Sequence, residues 1–345
     1  MTASEASFVG LAKQVAKGTI NATDAAFKYL LFREGSMSPN NLYVPLDQEV
    51  GGGALLRSVI KAGVMSAGQF DIIPRPDSIG HFLMGCFGED TPAGAGPSYT
   101  HTFALPDNQF DAPYYTFRTA PGNLWGETFK DCRVAGLALN WKASDYVRAQ
   151  IAVVGGLPTP SVNMAAWGAA AKVDGGPQFI APVSVIELPT ASALKVLSGA
   201  ITMQMNVPMD EQWVVGSYTP DDFDINSRVF TISLAVKITD ATLYNKMAYD
   251  PAAGGAWAAG MFKEAALNLV LKSDTMVTGA TPYSLQFKGN SQAAASGNAN
   301  INWSITPVAL RAGRQVVATM TGTVLADSAR APIEVVLVNG HAGAY

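Results

Sequence analysis

Residues 228 to 238 read RVFTISLAVKI, and their reading decides the fold. Val229, Thr231, Ser233, Ala235 and Lys237 fall on one side of an extended chain. Phe230, Ile232, Leu234, Val236 and Ile238 fall on the other, which is wholly apolar. A strict period of two with a single apolar face describes a strand that covers a core on one side only. The same alternation, rich in Val, Ile, Thr and aromatics and bounded by Gly, Pro, Asn and Asp, recurs along the chain. It marks Phe27–Glu34, Leu55–Met65, Tyr146–Val154, Ala200–Val207, Leu267–Lys272, Asn300–Leu310, Arg314–Leu325 and Ile333–Asn339 as further strands.

Two short stretches break this pattern. DSIGHFLMGCF (Asp77–Phe87) places Ile79, Phe82, Leu83 and Cys86 at helical spacing, with Asp77 or Ser78 as N-cap. DATLYNKMAYD (Asp240–Asp250) does the same with Leu243, Met247 and Tyr244, capped by Asp240. Each helix follows a long strand and precedes a Gly/Ala-rich loop, TPAGAGPS or PAAGGAWAAG, and then a run of four strands. Asp77 and Asp240 are 163 residues apart, and Tyr115 and Ser284 are 169 apart, close to half of 345. The order of elements therefore implies a duplication without sequence identity. It gives a mainly β chain of two tandem β-sandwich or half-barrel domains, each with one short α-helix. They would span residues 1–160 and 177–345, joined by a linker at 161–176 inside the Pro/Gly-rich stretch Gly155–Gly176.

Composition narrows the function. Hydrophobic residues make up 48% and charged residues 14%, against about 25% charged in an ordinary soluble domain. A surface so poor in charge suits a subunit that buries much of its outside against copies of itself. A net charge of −4 without any cluster of Lys and Arg argues against sequence-specific nucleic-acid binding. No run approaches the ~20 apolar residues of a membrane span. Lys13, Lys17, Asp24 and Lys28 interrupt the N-terminal stretch, so no signal-peptide core is expected. Cys86 and Cys132 cannot build a disulfide framework and read as buried thiols in a reducing compartment.

Catalytic chemistry is not legible. SIGHFLMGCFGED (Ser78–Asp90) holds a His, a Cys and two acids, but on a helix Cys86 joins the apolar stripe, His81 lies out of phase, and Glu89 and Asp90 fall beyond the end. The four groups do not converge on a metal. His101 and His341 have no acid or nucleophile beside them in sequence. GGGALL (Gly51–Leu56) lacks the Lys and Ser/Thr of a phosphate loop. The run Asp221, Asp222, Asp224 lacks the Gly and Glu of a calcium loop and reads as solvated. No cofactor or metal is implied, and the chain is not expected to be an enzyme. From the residues alone a virion structural protein, such as a capsid or tail-terminator component, remains open. So does a β-rich hydrolase or carbohydrate-binding module, although the six tryptophans are too scattered to outline a sugar groove.

Three blocks carry a resemblance. FVGLAKQVAKGTINAT (Phe8–Thr23) resembles the G-[IL]-A-K-[EQ]-x-x-x-G-T opening of tail tube proteins from long-tailed phages of the siphovirus type. GHFLMGCFGED and SYTHTFALPDN (Gly80–Asn108) are similar to that family's helix, glycine-rich loop and Y-T-H-T-F strand. APIEVVLVN (Ala331–Asn339) is similar to its closing strand. The resemblance implies a structural subunit of the virion tail, assembled in the host cytoplasm into stacked rings that form the conduit for genome delivery. Its implied partners are copies of itself, the tape-measure protein and DNA in the lumen, and tail-tip and tail-terminator proteins. Many such proteins carry one tube domain. If six domains surround the bore, as the resemblance implies, a double-domain chain needs three copies, a homotrimer with pseudo-sixfold symmetry.

Two segments, Gly35–Gly53 and Pro208–Ser227, read as loops too long for hairpin connections. The second carries Trp213, Val214, Val215 and Tyr218 without strand alternation. Large apolar side chains on a long loop are anchors for a partner's pocket, so these residues are expected to touch the adjacent ring.

Overall fold

The computed structural model describes residues 7–47, 58–105, 112–122, 124–161, 167, 176–187, 195–208, 212–238, 267–289, 301–306, 316–325 and 333–345. Eighteen strands and one α-helix lie within them. The N-terminal strands are β1 (Phe8–Lys13), β2 (Lys28–Leu30), β3 (Glu34–Pro45) and β4 (Val59–Ile72). The helix α1 (Pro76–Phe87) is followed by β5 (Asp90–Ala95), β6 (Ser98–Ala104), β7 (Tyr115–Ala120), β8 (Gly126–Lys142), β9 (Arg148–Gly155) and β10 (Pro158–Ser161). Then come β11 (Ile180–Glu187), β12 (Val196–Asn206), β13 (Ser227–Lys237), β14 (Asn268–Thr278), β15 (Thr281–Gly289), β16 (Ile301–Ile305), β17 (Val317–Val324) and β18 (Ile333–Asn339). The fold is mainly β, as the alternation requires.

Two sheets form. The larger has twelve strands and branches at β8. The first half of β8 pairs with β7 and β10, and β7 leads on to β1 and β2. Its second half joins β9 to β12, so that one continuous path runs β3-β4-β9-β8-β12-β13-β17-β16. The smaller sheet runs β11-β14-β15-β18-β6-β5. Strands from residues 1–160 and 177–345 thus meet in both sheets: β8 with β12, and β6 with β18.

Helix α1 packs against β8 of one sheet and β18, β6 and β15 of the other. One buried cluster collects Ile79, Leu83 and Phe87 of the helix, Leu137 and Leu139 of β8, and Ile232 and Leu234 of β13. It also takes in Phe287 and Leu337 of the smaller sheet. Burying each such side chain contributes about 1.5–3 kcal/mol, which makes this cluster the main source of stability. Two helical glycines permit the close fit. A Cβ on Gly85 would meet Val134 at 2.6 Å, and one on Gly80 would meet the Tyr345 ring at 2.2 Å.

Several expectations need correction. Helix α1 begins at Pro76, with Arg75 as N-cap, so neither Asp77 nor Ser78 caps it. Proline's missing N–H and fixed φ suit the first helical position, and its ring keeps the residue before it extended. Gly35–Gly53 is not a loop over its described part: Glu34–Pro45 is a strand with only Met37 buried. A strand with no covered face has no hydrophobic alternation to betray it; its pairing with β4 makes it one. For the same reason most of TPAGAGPS is β5, hydrogen-bonded to β6 and exposed along most of its length. Residues 27–34 form only the short β2 before β3 begins. Tyr115 lies in β7 beside β1 and β8, whereas Ser284 lies in β15 between β14 and β18, so these two are not equivalent by pairing. The expected helix at 240–250 lies outside the described residues, as does GGGALL, and so do residues 162–166 and 168–175 of the expected linker.

Cys86 and Cys132 are fully buried free thiols. Cys86→Ala should cost no more than about 1–2 kcal/mol, because the helix loses one small apolar atom from its stripe. Gly80→Val should cost more, because the added branch displaces Tyr345. Thermal melts followed by circular dichroism check the order; equal melting temperatures would mean that Tyr345 does not rest on the helix.

Candidate assembly surface

The hairpin of β3 and β4 leaves the body of the sheet. Near its base Phe70 and Ile72 are core residues, but toward its tip Leu42, Tyr43, Val44, Leu46, Val59 and Ile60 are all exposed. Register places Val44 opposite Ile60 and Tyr43 opposite Lys61, so consecutive pairs put apolar groups on both faces. A two-stranded ribbon of this kind is marginal in water on its own.

Residues 212–226 lie against this hairpin. The amide of Val64 donates to the carbonyl of Tyr218 at 2.8 Å. The Trp213 ring covers Gly63, where a Cβ would sit 2.4 Å from it. Trp213 is therefore half-buried within its own chain, while Val214, Val215 and Tyr218 remain exposed, Val215 completely at 107%. The four residues singled out from the sequence do come together beside the hairpin tip.

The far end of the same segment is clamped by charge. Lys17 Nζ lies 2.8 Å from Asp222 and 3.9 Å from Asp221. The Tyr114 hydroxyl donates to Asp222, and Arg133 reaches both Tyr114 and Asp224, with its guanidinium 4.1 Å from the Tyr114 ring centroid. Asp222 is a tether, whereas Asp221 and Asp224 keep most of their side chains in solvent as expected for the run. Burial pushes the Asp222 carboxyl up, but the Lys17 and Tyr114 hydrogen bonds outweigh it and hold the group below its ordinary range. Burial lowers Lys17, and Asp222 more than reverses that.

The three histidines, isolated in sequence, converge around the Tyr345 ring, with centroid distances of 4.8 Å for His81, 4.9 Å for His101 and 4.5 Å for His341. His101 Nδ1 lies 3.0 Å from Asp90 and its Nε2 3.0 Å from the His341 carbonyl. A carboxylate on one ring nitrogen and a carbonyl on the other favour the protonated ring. Burial alone would lower it, yet Asp90 and the carbonyl raise it. His81 is pushed down to about 3 by burial, with His341 adding to the effect. Sequence reasoning missed this cluster because Asp90 reaches His101 only through the β5–β6 hairpin. With both ring nitrogens of His101 engaged and the Tyr345 amide donating to Asp90, the arrangement ties Tyr345 to the body of the protein.

Among the described residues no group of three or more His, Cys, Asp or Glu could hold a metal. No described helix is long and apolar enough to cross a membrane. The model of the family described as phage tail tube protein matches residues 5–304. No curated protein matches the chain.

The clamp has a pH window. The depressed carboxyl of Asp222 contributes stability above the unfolded value of about 3.9, lost as pH falls through its folded value. The raised Lys17 contributes below about 10.4 and is lost above its folded value. Hydrogen exchange in residues 212–226, corrected for intrinsic rates, should rise between pH 5 and pH 3, and Lys17→Met should move the onset to higher pH. Unchanged protection at pH 3 would mean that the charges do not tether the segment.

Proposed function

The chain belongs to the phage tail tube family, a structural component of the virion tail, and from that premise we propose that three copies close a ring whose stacking builds the conduit of a siphovirus-type tail. The observation that carries the reading is an order repeated within the large sheet. In β3-β4-β9-β8 the strands stand in space as first, second, fourth and third by chain order. In β12-β13-β17-β16 they stand in the same order. The β8–β12 pair joins the first block to the second. Beyond them, β3 and β16 each have one partner among the described residues and one free edge. Repeating the internal joint between chains pairs β16 of one copy with β3 of the next, so three chains supply six blocks. This supports two tail-tube-like units with boundaries near 1–160 and 177–345, folded into common sheets.

The bare face of these blocks suits a bore. One cross-strand row reads Asn302, Thr323, Thr231, Thr202, Ala138 and Gln150, continuing to Asp71 and Glu34. Small residues on this face and bulky ones on the covered face favour curvature with the bare face concave. A hollow of about 430 Å³ lined by Gly136, Ala138, Gln150, Ala152 and Thr202 lies there. This row carries no cation to displace the counterions of passing DNA phosphates, and the cations of the same face, Lys142, Arg148 and Lys237, stand further along the strands. The tape-measure protein would occupy the same bore before DNA, with tail-tip and tail-terminator proteins at the ends. The role is structural, without cofactor.

Trp213, Val214, Val215 and Tyr218, with the hairpin tip, would contact the adjacent ring. Purified protein should show rings or hollow tubes by negative-stain microscopy, and persistent monomer at high concentration would overturn the reading. Val215→Asp, which disturbs no contact within the chain, should leave circular dichroism unchanged and sharply reduce tube yield. Trp213→Ala should do the same with a small loss of stability. Tubes as abundant as the parent's in both variants would remove these residues from the stacking contact.

A further inference from the structure

The segment that follows β18, residues 340–345, is fastened to the helix and to both sheets. The Tyr345 hydroxyl donates to the Pro76 carbonyl of α1 at 3.3 Å and accepts from Asn339 of β18. The Tyr345 amide donates to Asp90 of β5 at 3.0 Å, and Lys13 of β1 donates to the Tyr345 carbonyl at 3.0 Å. His341 gives its backbone N–H to Asn339 at 3.0 Å, and its carbonyl accepts from His101. We propose that this segment is an acid-operated latch, closed while His101 is charged and His341 neutral, and opened when His341 takes up a proton of its own.

The geometry accommodates one cationic ring, not two. His81, His101 and His341 surround the single Tyr345 ring, with 5.8 Å between the His101 and His341 centroids and 6.5 Å between those of His81 and His341. The side chains of His101 and its counter-ion Asp90 are fully buried. A second imidazolium this close, shielded from water, is repelled by the first. The charged and titratable groups facing the cluster are Asp77 and His81 of α1, Asp90 of β5, His101 of β6, Lys13 of β1 and Lys28 of β2. Among the described residues the His341 ring itself has no hydrogen bond or ion pair, and Asp90 is already engaged by His101.

Opening can be local. Gly340 and residues 342–344 are exposed, so the cluster around Tyr345 is what holds the segment down. The helix face beneath it is shaped for this one ring, since a Cβ on Gly80 would meet Tyr345 at 2.2 Å. Release therefore uncovers α1 at Gly80 and His81 without unpairing a strand.

The two rings act with opposite sign. Burial first, and His101 next, lower His341. Its contribution is present above the ordinary histidine value of about 6.5 and is lost as pH falls toward the closed-state value. Burial would lower His101, but Asp90 and the His341 carbonyl raise it. Its contribution is present below about 6.5 and is lost as pH rises through the raised value. His81, pushed down to about 3, stays neutral throughout.

Hydrogen exchange of the 340–345 amides, corrected for intrinsic rates, reads the latch directly. Protection there should fall about tenfold between pH 7 and pH 5, while the amides of β13 keep theirs. His341→Phe keeps a ring on Tyr345 and the backbone bonds but cannot take up a proton, so its segment should stay protected at pH 5. Asp90→Asn removes the counter-ion of His101 and should leave the segment open at pH 7. Parent protection that is flat from pH 7 to pH 5, or that is lost together with β13, would overturn the proposal. So would a His341→Phe segment that opens at the parent's pH, and that comparison decides alone should Asp90→Asn fail to fold.

Discussion

The eight-strand path from β3 to β16 ends on two edges that have no partner among the described residues, and the rest of the structure depends on how they are satisfied. An open edge is a row of backbone donors and acceptors ready to take another strand, which most proteins blunt or cover. Here one joint of the same type is already made inside the chain, where β8 meets β12. The covered face is closed over by α1 and the smaller sheet, so the free edges are the places left where this sheet can extend. A chain that carries its own example of the joint supplies the geometry on which the proposed ring rests.

The long strand β8 makes this possible. Its 17 residues serve two directions of pairing, toward β7 and β1 at one end and toward β9 and β12 at the other. The body of the protein is thereby tied to the path rather than merely packed on it. In the proposed assembly the ring closes through the edges of β3 and β16, and low surface charge leaves the contacts between copies free of long-range repulsion.

Much of this was legible in the sequence where one face of a strand is buried. The alternation of Phe230, Ile232, Leu234 and Val236 appears in the structure as the buried face of β13, and Ile201, Met203 and Met205 do the same in β12. Strands without a covered face were not legible: β3 and β5 are held by pairing alone, and their polar and glycine-rich residues read as loops. The tether at Asp222 was not legible because its partners, Lys17 and Tyr114, lie far away in sequence. The histidine cluster was hidden for the same reason. Trp213 drew notice by its misfit with any strand pattern, and Gly63 of its own chain accounts for part of that misfit.

The central claim is that the internal joint between the two four-strand blocks is repeated between chains. Native mass measurement of an isolated ring tests it most directly. A ring of three chains is the predicted result, since each chain brings two of six blocks. A ring of six chains would contradict it, for then each copy would enter the ring as one block and the pairing of β8 with β12 would be no guide to the assembly.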